Sequence, residues 1–230
     1  MNTVNRLCAG TTLQKGIVAV IDDDESIRKA LIRLLATAEL EAVAFSSAKD
    51  FLAAAETEDV SCVVSDLRMP DIDGLQLQSA LADRMPHVGI VFVTGHADVP
   101  SSVSAMKSGA VDFLEKPVPR GELLEAIARA TRRSHSAQKE IKELNQLRQR
   151  YAELTSRQRQ VFALVSVGLL NKQVAAELGS AEKTVKQHRG VVMAKMNANS
   201  LADLVMMADR LGVRPSRVDF SKAKGRIRAK

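Results

Sequence analysis

In the first half of the chain, short apolar runs rich in β-branched residues each break off at a polar residue, and helical spacing follows. Ile17–Ile21 stops at Asp22-Asp23-Asp24; Cys62-Val63-Val64 leads to Asp66; Ile90–Val93 stops at Thr94-Gly95; Val111–Leu114 ends at Lys116-Pro117. Runs of this length and composition read as buried strands. Between them lie helical spacings (Ile27, Leu31, Leu34, Leu35), an extended pair at Val43 and Phe45, and a helix over 48–55. Further helices follow at Leu75, Leu77 and Leu81, at Ser102–Ser108, and from Gly121 onward. Strands alternating with helices build βαβ units and a parallel sheet. Five such units in about 115 residues predict an α/β, doubly wound, five-stranded parallel sheet.

The second half has a different period. Residues 134–151 are polar and helix-favouring, without Gly or Pro, and Ile141, Leu144, Leu147 and Tyr151 share one face. A long linker helix fits, either as a solvated connector or as a short coiled coil between two chains. Thr155 with Gln158 forms a capping box, and Val161, Phe162, Leu164 and Val165 make an apolar face closed by Gly168. A helix over 171–178, a turn at Gly179, a helix from about Glu182 capped by Ser180, and one capped by Ser200 and ending at Leu211-Gly212 complete an all-α unit.

Charge divides at the same place. Residues 1–132 carry 13 Lys and Arg against 19 Asp and Glu, and residues 133–230 carry 20 against 8, so a −6 half precedes a +12 half. The basic half points to nucleic acid or an anionic surface, or else to a solvated basic face with a Lys/Arg-rich tail, and charge alone does not decide between them. No stretch approaches the roughly 18 apolar residues of a membrane span, the first 16 residues are too polar for a secretory signal, and no membrane partner is expected. Cys8 and Cys62, neither in a CxxC, read as free thiols of a reducing cytoplasm.

In an open parallel sheet the carboxyl ends of the strands share one crevice, which would gather Asp22, Asp23, Asp66, Thr94 and Lys116. Clustered carboxylates repel unless a cation neutralises them. Mg²⁺ suits oxygen ligands and a phosphoryl group. Asp66 is then a candidate nucleophile toward phosphorus, with Lys116 as the positioned cation and Thr94 as a hydrogen-bond donor to the transferred group. Asp24 reads as a helix cap instead. Each of the others has an ordinary structural reading by itself, and only their conjunction points to this chemistry.

The motifs Ile21-Asp22-Asp23-Asp24, Ser65-Asp66-Leu67-Arg68-Met69-Pro70-Asp71, Val93-Thr94-Gly95-His96 and Phe113-Leu114-Glu115-Lys116-Pro117 resemble those of the receiver domain of bacterial response regulators. The stretch from Thr94 to Pro100, with Ala105-Met106-Lys107 and Gly109-Ala110, is similar to the FixJ branch of the FixJ/NarL group. The resemblance implies a phosphoacceptor at Asp66 and Mg²⁺ held by Asp23, Asp66 and the Arg68 carbonyl, with Asp22 acting through water. It also implies a switch in which Thr94 and Phe113 couple phosphorylation to the face of the fourth helix, fifth strand and fifth helix.

In the basic half, the helices on either side of Gly179-Ser180 form a helix-turn-helix pattern whose second helix would enter the major groove. Val185, Val192 and Met196 mark its core side. Lys186 and Gln187 could read base edges; Lys172, Lys183, Thr184 and Arg189 suit phosphates. Gly190 either admits DNA closely or is tolerated, and His188 suits core or DNA. The segments 154–161, 171–175 and 183–189 are similar to the LuxR-type DNA-binding domain, with Gln158 where that family usually carries Glu. That resemblance implies dimerisation through the last helix and inverted half-sites.

The expected organisation is a flexible tail over 1–15, a receiver over 16–130, a linker helix over 131–152, a four-helix LuxR-type domain over 153–213 and a basic tail over 214–230. The expected function is a phosphorelay transcription regulator with a sensor histidine kinase, promoter DNA, a second copy when phosphorylated and RNA polymerase as partners. Its only catalysis would be its own phosphorylation and dephosphorylation. Two other readings compete: a constitutive DNA-binding protein whose receiver is only a dimerisation module, and a metal-dependent aspartyl phosphotransferase or phosphatase.

Overall fold

The computed structural model describes residues 16–54, 59–95 and 99–214. Cys8, the expected tail over 1–15 and all but Arg214 of the expected basic tail lie outside them, as does His96-Ala97-Asp98. The chain divides into two compact units, residues 1–139 and 140–230, each with its own core.

The first unit alternates strands and helices: β1 (Ile17–Ile21), α1 (Glu25–Ala36), β2 (Ala42–Phe45), α2 (Ala48–Ala54), β3 (Val60–Ser65), α3 (Gly74–Arg84), β4 (Gly89–Thr94), α4 (Val99–Lys107) and β5 (Asp112–Glu115). The strands pair in parallel in the order β2-β1-β3-β4-β5. Side chains of the central strands alternate between two cores, as period-2 geometry requires. Ala19, Ile21, Val63 and Phe92 meet Phe51 of α2, Leu77 and Leu81 of α3 and Ala105 of α4. On the other face Val18, Val20, Cys62, Val64, Val91 and Val93 meet Leu31 and Leu35 of α1, and Leu123, Ala126 and Ile127. Central strands covered on both faces must be apolar throughout, which is why they appear in the sequence as unbroken runs. The buried Cys62 thiol is pushed far above its usual range by desolvation, so it packs as a small apolar group.

Helix α5 (Arg120–Ala152) joins in one element the helix expected from Gly121 and the polar helix expected over 134–151. In the second unit follow α6 (Ser156–Ser166), α7 (Asn171–Glu177), α8 (Glu182–Met196) and α9 (Leu201–Leu211). Leu147 and Tyr151 of α5 pack on their core, so of the four stripe residues only Leu144 and Ile141 stand outside it. The capping boxes at Thr155/Gln158 and Ser200/Asp203 form as the sequence predicts. Ser180 does not cap α8: Ala181 occupies the N-cap position and offers no side-chain bond. Ser180 instead donates its backbone N–H to the Ala175 carbonyl, closing the turn after Gly179, whose φ of +58° favours glycine.

Candidate functional site

Topology assembles the acidic site. Between β1 and β3 the strand order reverses, and the crevice at such a switch point is where open α/β sheets bind ligands. Asp22 and Asp23 follow β1, Asp66 follows β3, and the backbone N–H of Asp66 donates to the Ile21 carbonyl at 2.8 Å, locking the two ends together. One carboxylate oxygen from each of Asp22, Asp23 and Asp66 lies within 4.8 Å of the others. Asp22 is buried, Asp66 half-buried and Asp23 exposed, so the cluster opens to solvent on one side.

Lys116, just past β5, closes the other side. Its Nζ sits 2.7 Å from Asp22 Oδ2 and 2.8 Å from Asp66 Oδ2. Burial presses the Lys116 pKa down, but the two carboxylates more than offset this, and the ammonium is held above the usual lysine range. The Lys116-Pro117 peptide bond is cis, and the Lys116 N–H donates to the Thr94 carbonyl at 2.8 Å. Thr94 ends β4, the strand between those leading to Asp66 and Lys116, and is buried. Asp66 Oδ1 accepts from the backbone N–H groups of Leu67 and Arg68, so its carboxylate is oriented by the turn as well as by Lys116. Phe113 on β5 is half-buried, its ring 6.3 Å from that of Phe92.

Asp24 behaves as the sequence predicts. It caps α1, accepting from the Ser26 and Ile27 N–H groups, and these bonds hold its carboxyl below the usual range. Arg28 escaped sequence reading: its guanidinium donates to the Asp22 carbonyl at 2.6 Å and steadies the turn carrying the acidic pair. Its place one helical turn after the cap Asp24 was the available signal.

In the second unit, Val185, Val192 and Met196 are buried as their spacing predicts. Lys172, Lys183, Thr184, Lys186, Gln187 and Gly190 are exposed. Arg189 is half-buried and donates to Asn171 Oδ1 at 3.2 Å, linking α8 to α7; His188 is also half-buried. A Cβ built on Gly190 meets no atom within 4 Å, and its backbone is ordinary helix, so neither packing nor φ calls for glycine there. Helix α9 buries Leu204 and Ala208 and exposes Leu201, Val205 and Met206 on another face. On the first unit, α4 exposes Val99, Val103 and Met106. Among the described residues no helix is long and apolar enough to cross a membrane.

Residues 18–128 match the response regulator receiver domain, and residues 152–208 match the bacterial regulatory proteins of the luxR family. The chain is 47% identical to nodulation protein W of Bradyrhizobium diazoefficiens over 199 residues, 86% of this chain and 88% of that protein. It is 42% identical to the transcriptional regulatory protein FixJ of Rhizobium meliloti, across 86% of this chain and 98% of that one. Among solved structures, the response regulator StyR aligns with a TM-score of 0.76 at 42% identity, covering 86% of this chain and all of that one. Full-length FixJ from B. japonicum aligns with a TM-score of 0.53 at 41% identity, covering 86% and 98%.

Proposed function

Because this chain belongs to the two-component response regulators that join a receiver domain to a LuxR-type DNA-binding domain, we propose that phosphorylation of Asp66 by a partner histidine kinase controls its dimerisation and its binding to promoter DNA. The observation that carries this reading is Lys116 Nζ bridging Asp22 and Asp66 beside an open third carboxylate. A purely structural ion pair needs no such solvent-facing excess of negative charge.

The Asp66 carboxylate attacks phosphorus, the P–N bond of the donor phosphohistidine breaks, and its imidazole leaves with a proton. The product on this chain is an acyl phosphate. The all-oxygen donor set fits Mg²⁺; Asp23, Asp66 and the Arg68 carbonyl would hold it, with Asp22 acting through water. When bound, this ion neutralises charge on the transferred oxygens. Lys116 supports the same charge, and the Thr94 hydroxyl donates to a phosphoryl oxygen once it has arrived. Thr94 and Phe113 then pass the change to α4 and β5, and a second copy covers the Val99, Val103 and Met106 face. Through this second copy two α8 helices reach inverted half-sites in cytoplasmic promoter DNA, with the exposed face of α9 as a further dimer contact and RNA polymerase recruited there. The domains follow as a receiver over 16–130, a linker over 131–152 and a DNA-binding domain over 153–213.

Sedimentation velocity and promoter binding, with and without acetyl phosphate and Mg²⁺, test this. The expected result is a monomer-to-dimer shift with tighter promoter binding, both absent in Asp66→Asn. Identical binding in every case would instead establish the constitutive reading. Affinity should also fall steeply with salt through counterion release.

Gly190 supplies a separate check. Glycine inside a helix costs about 1 kcal/mol relative to alanine, and nothing among the described residues offsets that. Gly190→Ala should therefore stabilise the DNA-binding unit by about 1 kcal/mol in thermal melts. If α8 approaches DNA backbone-first at this point, the same variant binds promoter DNA more weakly. Gain of stability with unchanged affinity would move Gly190 off the contact surface.

A further inference from the structure

Asp22 is held by every polar group it has. Its N–H donates to the Phe45 carbonyl at 3.3 Å, its Oδ1 accepts from the Asp24 N–H at 2.9 Å, and its Oδ2 accepts from Lys116 Nζ at 2.7 Å. Its carbonyl accepts from Arg28 Nη1 at 2.6 Å. Buried as well, this residue is fixed in place.

Asp23 is its opposite. It is exposed, and no side chain among the described residues bonds to its carboxylate. Where that carboxylate points therefore depends on the backbone that carries it. The carbonyl that Arg28 holds belongs to the peptide unit joining Asp22 to Asp23. A peptide unit is planar, so holding its oxygen fixes the plane and with it the placing of the Asp23 Cα.

Arg28 can do this from α1 because helical side chains lean toward the N-terminus. Its own N–H donates to the carbonyl of the cap residue Asp24 at 3.0 Å, and its guanidinium returns past that cap to Asp22. A charged donor makes a stronger bond than a neutral one. The bond goes to a backbone oxygen and takes up no carboxylate oxygen of Asp23, which stays available to a cation.

We propose that Arg28 is a positioning residue for the divalent cation of the acidic site: by holding the Asp22 carbonyl, it keeps Asp23 aimed for ligation. The inference rests on the reading of that site given above, in which Asp23 and Asp66 hold Mg²⁺. Groups that orient a metal's ligands without touching the metal carry about 10–100-fold in affinity. Charge by itself acts the other way. A guanidinium near the site repels a second cation, so removing it for its charge alone would tighten Mg²⁺ binding. The two effects differ in sign, and the sign decides between them.

The test titrates the full-length chain with Mg²⁺ alone by isothermal calorimetry, in wild type and Arg28→Met. Methionine keeps an unbranched stem and removes both the donor and the charge. The variant should bind Mg²⁺ about tenfold more weakly. With acetyl phosphate and intact-mass detection, its labelling at Asp66 should need about tenfold more Mg²⁺ to reach half its maximal rate, and that maximum should equal the wild type's. A variant that is merely damaged would not recover in this way. Should Arg28→Met not fold, Arg28→Gln, too short to span to the carbonyl, gives the same comparison. Unchanged or tighter Mg²⁺ binding, or a maximal rate that excess Mg²⁺ does not restore, would overturn the inference, while labelling of wild type at Asp66 would leave the proposed function standing. Absence of Mg²⁺ binding by wild type would overturn the Mg²⁺ reading of the site and the inference with it.

Discussion

Incubated with acetyl phosphate and Mg²⁺, the wild-type chain should gain one phosphoryl group by intact-mass measurement, and Asp66→Asn should gain none. Asparagine keeps the shape of the side chain but is a far poorer nucleophile toward phosphorus. It also keeps an oxygen able to accept from the Leu67 and Arg68 N–H groups, so the turn should hold. Removing one negative charge relieves the repulsion between Asp22, Asp23 and Asp66 but gives up the ion pair with Lys116, so an unchanged circular dichroism spectrum of the variant is what assigns loss of labelling to loss of the acceptor. The mass gain should disappear on treatment with hydroxylamine, as an acyl phosphate requires. Labelling of Asp66→Asn to the wild-type extent would place the acceptor elsewhere and remove the basis for the proposed function.

The largest effect on stability is expected from Phe162→Ala. The Phe162 ring is fully buried in the helical unit, 5.4 Å from the ring of Tyr151 and within the cluster that includes Val161, Val174, Val185 and Leu204. Truncating such a side chain costs about 3–5 kcal/mol, part lost transfer energy and part cavity. A whole domain is stable by only about 5–15 kcal/mol, so this variant should lose most of its DNA-binding unit at moderate temperature. Promoter binding should fall with it. Labelling of Asp66 should persist, because the core of the first unit is built from other residues, among them Phe51, Leu77 and Phe92. Thermal unfolding followed by circular dichroism, with the mass assay on the same sample, checks both halves. A shift worth less than about 0.5 kcal/mol, the level of an ordinary surface change, would contradict the packing described here.

Much of this was legible from the chain alone because the signals are local. Ile17–Ile21 and Ile90–Val93 are apolar throughout since both faces of a central strand are covered. Thr155 with Gln158 and Ser200 with Asp203 announce helix starts because each cap is a bond across three residues. Val185, Val192 and Met196 lie on the buried side of α8 because helical geometry returns them to one face. The order of the acidic, threonine and lysine motifs marked the receiver for the same reason, since each motif is a contiguous strand end.

Other features needed the fold. Ser180 had the right chemistry for a cap, but the turn after Gly179 uses its backbone instead and leaves the N-cap to Ala181. Arg28 is one of many surface-like arginines until the turn it serves exists. Arg189 suits a phosphate by its chemistry, and its bond to Asn171 on the preceding helix exists only once α7 and α8 have packed. The continuity of α5 was hidden because its receiver-facing and polar stretches have different patterns, and helical backbone bonds do not register that change.

The sequence by itself determined the classes of element, their order and the residue types at each strand end, because period, capping and turn chemistry act within a few residues. Only the tertiary structure decided which of those ends meet. Lys116 stands 94 residues from Asp22 and 50 from Asp66, and one cation reaches both because parallel pairing in the order β2-β1-β3-β4-β5 brings their strand ends to one edge. The same is true of Gln78 and Ala105, 27 residues apart, which one buried hydrogen bond joins. Such contacts depend on loop closure and register, quantities that no local pattern carries.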